Sequence, residues 1–212
     1  MANLIQQVVL VTGLLAMAAA AAPFSHKTHL AKKLDCVICH SGASGSQSAL
    51  DNLIPANTLC AGCHQDGRAS FQPKQPRNNV VTRFNHQLHV RMGSAISATI
   101  VRAVDAKTYL SDPGNLRSQL EGVKHPCTGC HRGLAQADVV SADHFPHMAD
   151  CLVCHNKIDN PFSCEKCHDQ KPEELKPASH IVGYLDKHSN SNVEKTSCAV
   201  CHGRRFTCLG CH

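Results

Sequence analysis

Apolar residues are distributed unevenly along the chain, and the first concentration lies at its start. Residues 1–22 carry no charged side chain, and the segment from Leu4 to Ala22 is apolar apart from four positions. It ends in a run of alanines, and small residues are typical of a signal-peptide cleavage site. We therefore predict a signal peptide over residues 1–21. The alternative is an uncleaved N-terminal anchor that associates the protein with a membrane, since about 19 residues is near the minimum for spanning a bilayer.

The second concentration lies in the middle of the chain, between residues 91 and 124. Apolar residues recur there at helical spacing, at Ile96, Ile100, Val101, Val104 and Leu110. This pattern predicts an amphipathic helix that stops at the Ser-Asp-Pro-Gly turn of residues 111–114. Its apolar face either packs against other groups inside the protein or forms a docking surface for a partner.

Outside these two stretches the chain repeats the unit Cys-x-x-Cys-His seven times. We number the units as motifs 1 to 7, in order Cys36–His40, Cys60–His64, Cys127–His131, Cys151–His155, Cys164–His168, Cys198–His202 and Cys208–His212. The unit is the signature of c-type haem attachment, in which two thiols bind one porphyrin and the next histidine binds the iron. Zinc ribbons do not require a histidine after every second cysteine, and a disulfide scaffold requires none.

The motifs use all fourteen cysteines, so we predict seven covalently attached haem c groups. The predicted attachment residues are Cys36, Cys39, Cys60, Cys63, Cys127, Cys130, Cys151, Cys154, Cys164, Cys167, Cys198, Cys201, Cys208 and Cys211. The predicted iron ligands within the motifs are His40, His64, His131, His155, His168, His202 and His212.

Nine further histidines are available for the sixth iron positions. Eight are predicted ligands, namely His26, His29, His86, His89, His144, His147, His180 and His188. Six of them form three His-x-x-His pairs, whose members lie about 5–6 Å apart on a helix and can bind two different irons. His125 is the first choice as a non-ligand. Since only Met92 and Met148 lie beyond residue 22, ligation by two histidines must dominate, and it favours low reduction potentials.

The histidine pairs divide the chain into four predicted units. The first unit (residues 23–82) carries two haems, and the second (83–140) carries one haem and a haem-free insert (91–124). The third (141–171) and the C-terminal unit (172–212) carry two haems each. His180, Tyr184 and His188 recur every four residues, which would place them on one side of a helix.

Composition indicates how such a chain can fold. About 190 residues for seven haems leaves roughly 27 residues per haem, too few for an ordinary apolar core. The predicted fold class is a multihaem cytochrome c, cored by haem, with short α-helices and loops and little β-sheet. The formal charge of +5 becomes about −2 to −9 once the haems and their propionates are counted. The apparent basicity is thus no argument for nucleic acid, and lysines and arginines are expected to pair with propionates or to form a docking patch.

The segments FSHKTHLAKKLDCVICHSG, LIPANTLCAGCHQ and RFNHQLHV resemble the low-potential class III multihaem cytochromes c, especially the short triheme type. They are also similar to the multihaem cytochrome subunit of alternative complex III. The resemblance covers about residues 24–131. It implies that His26 ligates the haem of motif 1, and that His29 and His89 reach haems of other units. It also implies electron transfer between a membrane quinol oxidiser and a periplasmic or extracellular acceptor.

The leading functional hypothesis is an exported electron carrier without substrate chemistry, hence not an enzyme. Its partners would be redox proteins, such as a quinol oxidoreductase or a terminal reductase. One alternative is a subunit of a membrane quinol-oxidising complex or of a conductive filament, which implies assembly with further copies or partners. Another is a multihaem reductase of a small nitrogen substrate, which needs one iron with an open position. The surplus of histidines disfavours that alternative.

Overall fold

The computed structural model describes residues 24–65, 81–156, 163–177, 180, 182–184 and 198–203. Within these ranges the chain forms short helices and loops and no β-strand, so the predicted fold class is confirmed. The α-helices are α1 (His26–Ala31), α2 (Cys36–Cys39), α3 (Asn57–Ala61), α4 (His86–Arg91), α5 (Ala95–Asp105), α6 (Leu116–Leu120), α7 (Pro126–Cys130) and α8 (Met148–Leu152). Turns of 3₁₀ helix span Leu134–Gln136, Ala142–His144 and Cys164–Lys166. Residues 198–203 are also helical.

A small apolar cluster forms around α5. Ile100 and Leu120 are 1% and 2% exposed, and Tyr109, Leu116 and Ala149 complete the cluster. Three further side chains of the predicted apolar face pack against it, namely Ile96, Val101 and Val104. The predicted amphipathic helix is therefore confirmed, and its apolar face packs within the protein. The described part of the chain thus also forms an apolar cluster of side chains, which the expectation of a core made of haem did not include.

The end of α5 differs from the prediction, because the helix stops at Asp105 and Leu110 lies outside it. The N–H of Thr108 donates to the carbonyl of Ala103 at 2.8 Å, and that of Lys107 donates to Val104 at 3.0 Å. Lys107 has a φ of +56°, so these bonds form a Schellman motif with lysine at the position that glycine usually takes. The chain turns back early, and Tyr109 thereby enters the cluster.

Helix α7, which carries motif 3, lies against α5. At Gly129 an added Cβ would collide with the hydroxyl of Ser97 on α5, whereas Cβ of Ser97 lies at an ordinary contact distance of 3.8 Å. A larger residue at this variable position of motif 3 would therefore require the Ser97 hydroxyl to turn away.

Backbone hydrogen bonds join the predicted units to one another. The N–H of Lys27 in the first unit donates to the carbonyl of Ala137 in the second at 3.0 Å. The N–H of Arg83 in the second unit donates to Cys167 in the third at 3.3 Å. Ala149 of the third unit also packs in the cluster of the second. These units are therefore in direct contact.

Several predicted features fall outside the described residues, namely the signal peptide, motif 7 and His188. The helical spacing of His180, Tyr184 and His188 is likewise not covered, although the rings of His180 and Tyr184 stack with centroids 5.1 Å apart. In the part of the chain that the structure describes, no helix combines the length and hydropathy needed to cross a membrane.

Candidate haem attachment sites

The first five motifs share one local geometry. In each, the N–H of the motif histidine donates to the carbonyl of the first cysteine four residues earlier, at 2.8–2.9 Å. A hydrogen bond over four residues closes one turn of α-helix. Both cysteines and the histidine therefore stand on the same turn, as attachment of both thiols to one porphyrin requires.

The first two His-x-x-His pairs lie on α1 and α4, which begin in the same way. The Ser25 hydroxyl accepts the N–H of Thr28 at 3.1 Å, and the Asn85 side chain accepts that of Leu88 at 2.9 Å. Serine and asparagine are favoured at this position because they satisfy a backbone donor that the helix leaves unpaired. The caps fix where each helix starts and hence how its two histidines are oriented.

The second histidine of each pair is held by the same two contacts. Nδ1 of His29 lies 2.8 Å from the carbonyl of Ser25, and Nδ1 of His89 lies 2.8 Å from that of Asn85. A carbonyl can only accept, so Nδ1 carries the proton and Nε2 is left free to bind a metal. Phe24 and Phe84 stack on these two rings, with centroids 4.5 Å and 4.3 Å apart.

Four motif histidines each face the ring of a histidine outside the motifs. The ring centroids are 6.3 Å apart for His26 and His40, 6.1 Å for His29 and His64, 6.3 Å for His89 and His155, and 5.9 Å for His180 and His202. Two imidazoles on opposite sides of one metal ion, each bound at about 2.0–2.1 Å, have centroids about 6.2 Å apart. In each of the four pairs, the two rings are therefore separated by the distance that one iron between them would require.

These pairs test what the resemblance implies about individual histidines. His26 faces motif 1, as expected, with the two rings within 9° of parallel. His89 faces His155 and so joins the second unit to the third. His29 faces His64, which belongs to its own unit. This position does not agree with the expectation that His29 reaches another unit, because the chain after α1 brings motif 2 of the same unit to it.

The other predicted ligands are not brought into such pairs within the described ranges. His131 and His168 have no second histidine ring at this distance there. His86 lies on α4, which packs against α7 and motif 3. In the third pair, Nδ1 of His144 accepts the N–H of Ser141 at 2.8 Å, and His147 is exposed. The HFPH pair therefore does not repeat the geometry of the first two.

His125, the predicted non-ligand, has both ring nitrogens engaged by protein. Nδ1 accepts the N–H of Cys127 at 3.3 Å, and Nε2 lies 3.5 Å from a carboxylate oxygen of Asp35. Because Nδ1 accepts, the proton of the neutral ring is on Nε2 and points toward the carboxylate. Asp35 also caps α2 by accepting the N–H of Val37 at 3.1 Å. His125 and Asp35 thus connect motif 3 to motif 1.

The cysteines do not form a zinc or disulfide scaffold within the described residues. No disulfide joins any two of them. Among these residues one group has three potential metal ligands within 4.8 Å of one another, namely Cys36, His125 and Cys127. A structural zinc site needs four ligands, and this group takes only the first cysteine from each of two motifs. It shows instead that motifs 1 and 3 lie side by side.

Two further properties of the motifs fit haem. Apolar side chains within or beside them are half exposed, including Val37 at 48%, Ile38 at 50% and Leu59 at 45%. A flat macrocycle bound at these motifs would cover such side chains. Burial also lowers the pKa of several histidines, among them His26, His131 and His168. It thereby favours the neutral imidazole, which is the form that binds a metal.

A buried polar group that the sequence analysis did not identify lies between motifs 3 and 4. Arg132 directly follows motif 3, and its Nη2 donates to Oδ2 of Asp150 at 2.9 Å. Asp150 directly precedes motif 4, and it also accepts the hydroxyl of Tyr109 at 2.8 Å. The only available signal was the position of the arginine and the aspartate next to two motifs. No pattern in the sequence indicates that this arginine and this aspartate contact each other.

Comparison with known proteins agrees with this geometry. Residues 22–82 match the family model described as cytochrome c7 and related cytochrome c. The match contains the α1 histidine pair and motifs 1 and 2. No curated protein and no solved structure matches the chain. Residues 22–82, with their motif turns and spaced histidine pairs, are therefore similar to cytochrome c7 and related cytochromes c, which supports a low-potential multihaem c-type cytochrome.

Proposed function

We propose that this chain transfers electrons through seven covalently bound haem c groups, most of them ligated by two histidines. The observation that carries the proposal is the set of four histidine pairs at 5.9–6.3 Å, each combining one motif histidine with one from outside the motifs. A structural zinc site does not require two imidazoles that face each other at this separation. The same spacing is expected when both axial positions of an iron are filled by protein.

The residues that would hold the groups are the motif cysteines and histidines, with His26, His29, His89 and His180 on the opposite sides. Bound haem c supplies an iron that takes up and releases one electron at a time. The chain holds the imidazoles rigidly through backbone carbonyls, such as that of Leu53, which lies 2.7 Å from Nδ1 of His40. Because protein fills both sides, these four sites leave no position for a substrate.

The contacts between motifs support transfer along the chain. Motif 3 lies beside motif 1 through Cys36, Cys127 and His125, and beside motif 4 through Arg132 and Asp150. The α1 histidine pair serves motifs 1 and 2 together. Motifs 2, 1, 3 and 4 therefore follow one another as neighbours, which is the arrangement that a path for electrons needs.

The setting we propose is the periplasm or the cell exterior, where proteins of this type receive their haem. The partners would be redox proteins, such as a quinol oxidoreductase as donor and a terminal reductase as acceptor. Incorporation into a membrane quinol-oxidising complex or a filament is the same electron-transfer function in an assembly. Purification of the native protein, followed by measurement of its oligomeric mass, separates the free carrier from the assembled forms.

The number of haems is tested by the mass of the intact mature protein. We expect the polypeptide mass plus seven haem masses, because all fourteen cysteines belong to motifs. The same measurement reports whether the N-terminal segment has been removed. A mass short by one haem or more, or bound zinc, would contradict the heptahaem assignment.

Ligation by two histidines is tested by the spin state of the oxidised protein. We expect low-spin spectra with almost no high-spin fraction, and no binding of carbon monoxide to the reduced protein. A reductase would instead need an open iron, and motifs 3 and 5 are the places to look, since His131 and His168 lack a facing histidine within the described ranges. A clear high-spin signal together with carbon monoxide binding would favour that alternative.

A further inference from the structure

Arg132 is a charged side chain that the fold buries almost completely. It is 7% exposed, although it directly follows the last residue of motif 3. One of its terminal nitrogens, Nη2, donates to Asp150 at 2.9 Å. Burial of a guanidinium is costly unless its donors are paired, so every remaining donor of this side chain needs an acceptor.

Asp150 already accepts three hydrogen bonds, and none of them comes from Nη1 of Arg132. Oδ1 accepts the hydroxyl of Tyr109 at 2.8 Å, and Oδ2 accepts the backbone N–H of His147 at 2.8 Å in addition to Arg132. Three donors therefore hold the carboxylate in place. The carboxylate in turn fixes the direction in which the rest of the guanidinium points.

The other terminal nitrogen of Arg132, Nη1, is fully buried and has no hydrogen-bond partner among the described residues. Nearby lie Asp150 and Cys130, the second attachment cysteine of motif 3. The chain thus provides a fixed, buried cationic donor between two attachment motifs. An oxyanion is the group that matches such a donor best.

We propose that Nη1 of Arg132 binds a propionate carboxylate of a haem carried by motif 3 or motif 4. This inference rests on the proposed function, since it requires haem at these motifs. The propionates are the anionic groups that haem brings into the fold, and Arg132 would compensate the charge of one of them. Compensation of a negative charge beside an iron favours the reduced state, so Arg132 raises the reduction potential of that haem.

The experiment measures the potentials of the individual haems in the fully loaded protein, by redox titration followed by nuclear magnetic resonance of assigned haem signals. We expect Arg132→Gln to lower the potential of one haem, and the identity of that haem distinguishes motif 3 from motif 4. The matched control is Arg117→Gln, because Arg117 is exposed and pairs with Asp105 and Glu121. It should leave all potentials unchanged.

A second variant distinguishes the pairing of Arg132 with a propionate from its pairing with Asp150. Arg132→Gln combined with Asp150→Asn removes both charges of the internal pair. If Arg132 also serves a propionate, the lowered potential persists in the double variant. A return of all potentials to the parent values would mean that Arg132 pairs with Asp150 alone, and the proposal would be overturned.

Infrared difference spectra of the protein without substitutions provide a test that does not require any variant to fold. With carbon-13 in the propionate carboxylates, one band should have the frequency of a carboxylate paired with arginine. Frequencies characteristic of solvated carboxylates for all propionates would overturn the proposal. Failure of the proposed function is distinct, since it would appear as missing haem or open irons in the parent protein.

Discussion

Replacement of His89 by alanine is expected to convert one low-spin haem into a high-spin haem and to weaken the contact between the second and third units. The ring of His89 lies 6.3 Å from that of His155 across these units, so under the proposed ligation its loss would leave the iron of motif 4 with one protein ligand. The proposed coordination bond would also cross-link two segments that are distant in the chain. On the scale of other cross-links, its loss should cost about 2–4 kcal/mol in the free energy of unfolding.

The measurements are the high-spin fraction in the oxidised protein, expected at about one haem in seven, and the thermal unfolding midpoint. The control is His125→Asn, in which asparagine can still cap α7 through the N–H of Cys127. It should create no high-spin haem, because both nitrogens of His125 are engaged by protein. If His125→Asn creates a high-spin haem and His89→Ala does not, the two assignments are inverted.

Replacement of Asp150 by alanine is expected to lower the free energy of unfolding by about 3–5 kcal/mol, as when one partner is removed from a buried ion pair. The change removes the Asp150 carboxylate from the buried Arg132 guanidinium, which would keep only the proposed propionate, and it also removes the acceptor of the Tyr109 hydroxyl. Burial raises the pKa of Tyr109, so the hydroxyl keeps its proton and must find another acceptor. Denaturant unfolding of the loaded protein, followed by haem absorbance, measures the loss.

The matched control for this prediction is Asp105→Ala. Asp105 also pairs with an arginine, at 2.8 Å, but both side chains are about half exposed. Exposed pairs of this kind contribute about 0–1 kcal/mol, so the control should be nearly neutral. Equal losses in the two variants would show that the Arg132–Asp150 pair is not a buried structural element.

The loss in the free energy of unfolding for Asp150→Asn should lie between those for Asp150→Ala and Asp105→Ala. The reason is that an amide oxygen can still accept from Tyr109 but carries no charge. A loss as large as that of alanine would indicate that charge compensation of Arg132 dominates. A loss close to zero would indicate that the hydrogen bonds alone matter.

The sequence by itself predicted the attachment chemistry and determined the class of fold. Each motif is contiguous, and one turn of helix is enough to bring its cysteines and histidine to one porphyrin. The motifs could therefore be recognised without knowledge of contacts between distant residues. The same holds for the caps of α1 and α4, since Ser25 and Asn85 act on donors three residues away. His125 could also be chosen as the spare histidine by counting alone, and the structure engages both of its nitrogens with protein.

Only the tertiary structure decided which distant residues meet. His29 faces His64 of its own unit, whereas His89 on a nearly identical turn faces His155 of another. The His-x-x-His pairs on α1 and α4 have the same local pattern, and the difference comes from the path of the chain after each helix. The early end of α5 at Asp105 could not be predicted for a related reason, because Lys107 takes the left-handed position after it and lysine carries no sequence signal for that conformation.

The buried group of Tyr109, Arg132 and Asp150 was beyond prediction for the same physical reason. Arginine and aspartate are mostly exposed in proteins and are buried only when paired. Their pairing here depends on the packing of α8 and the α5–α6 cluster, which places Ala149 in the core and Asp150 beneath motif 3. Short-range patterns specify what each segment can bind, while burial and pairing depend on contacts between segments that the sequence separates.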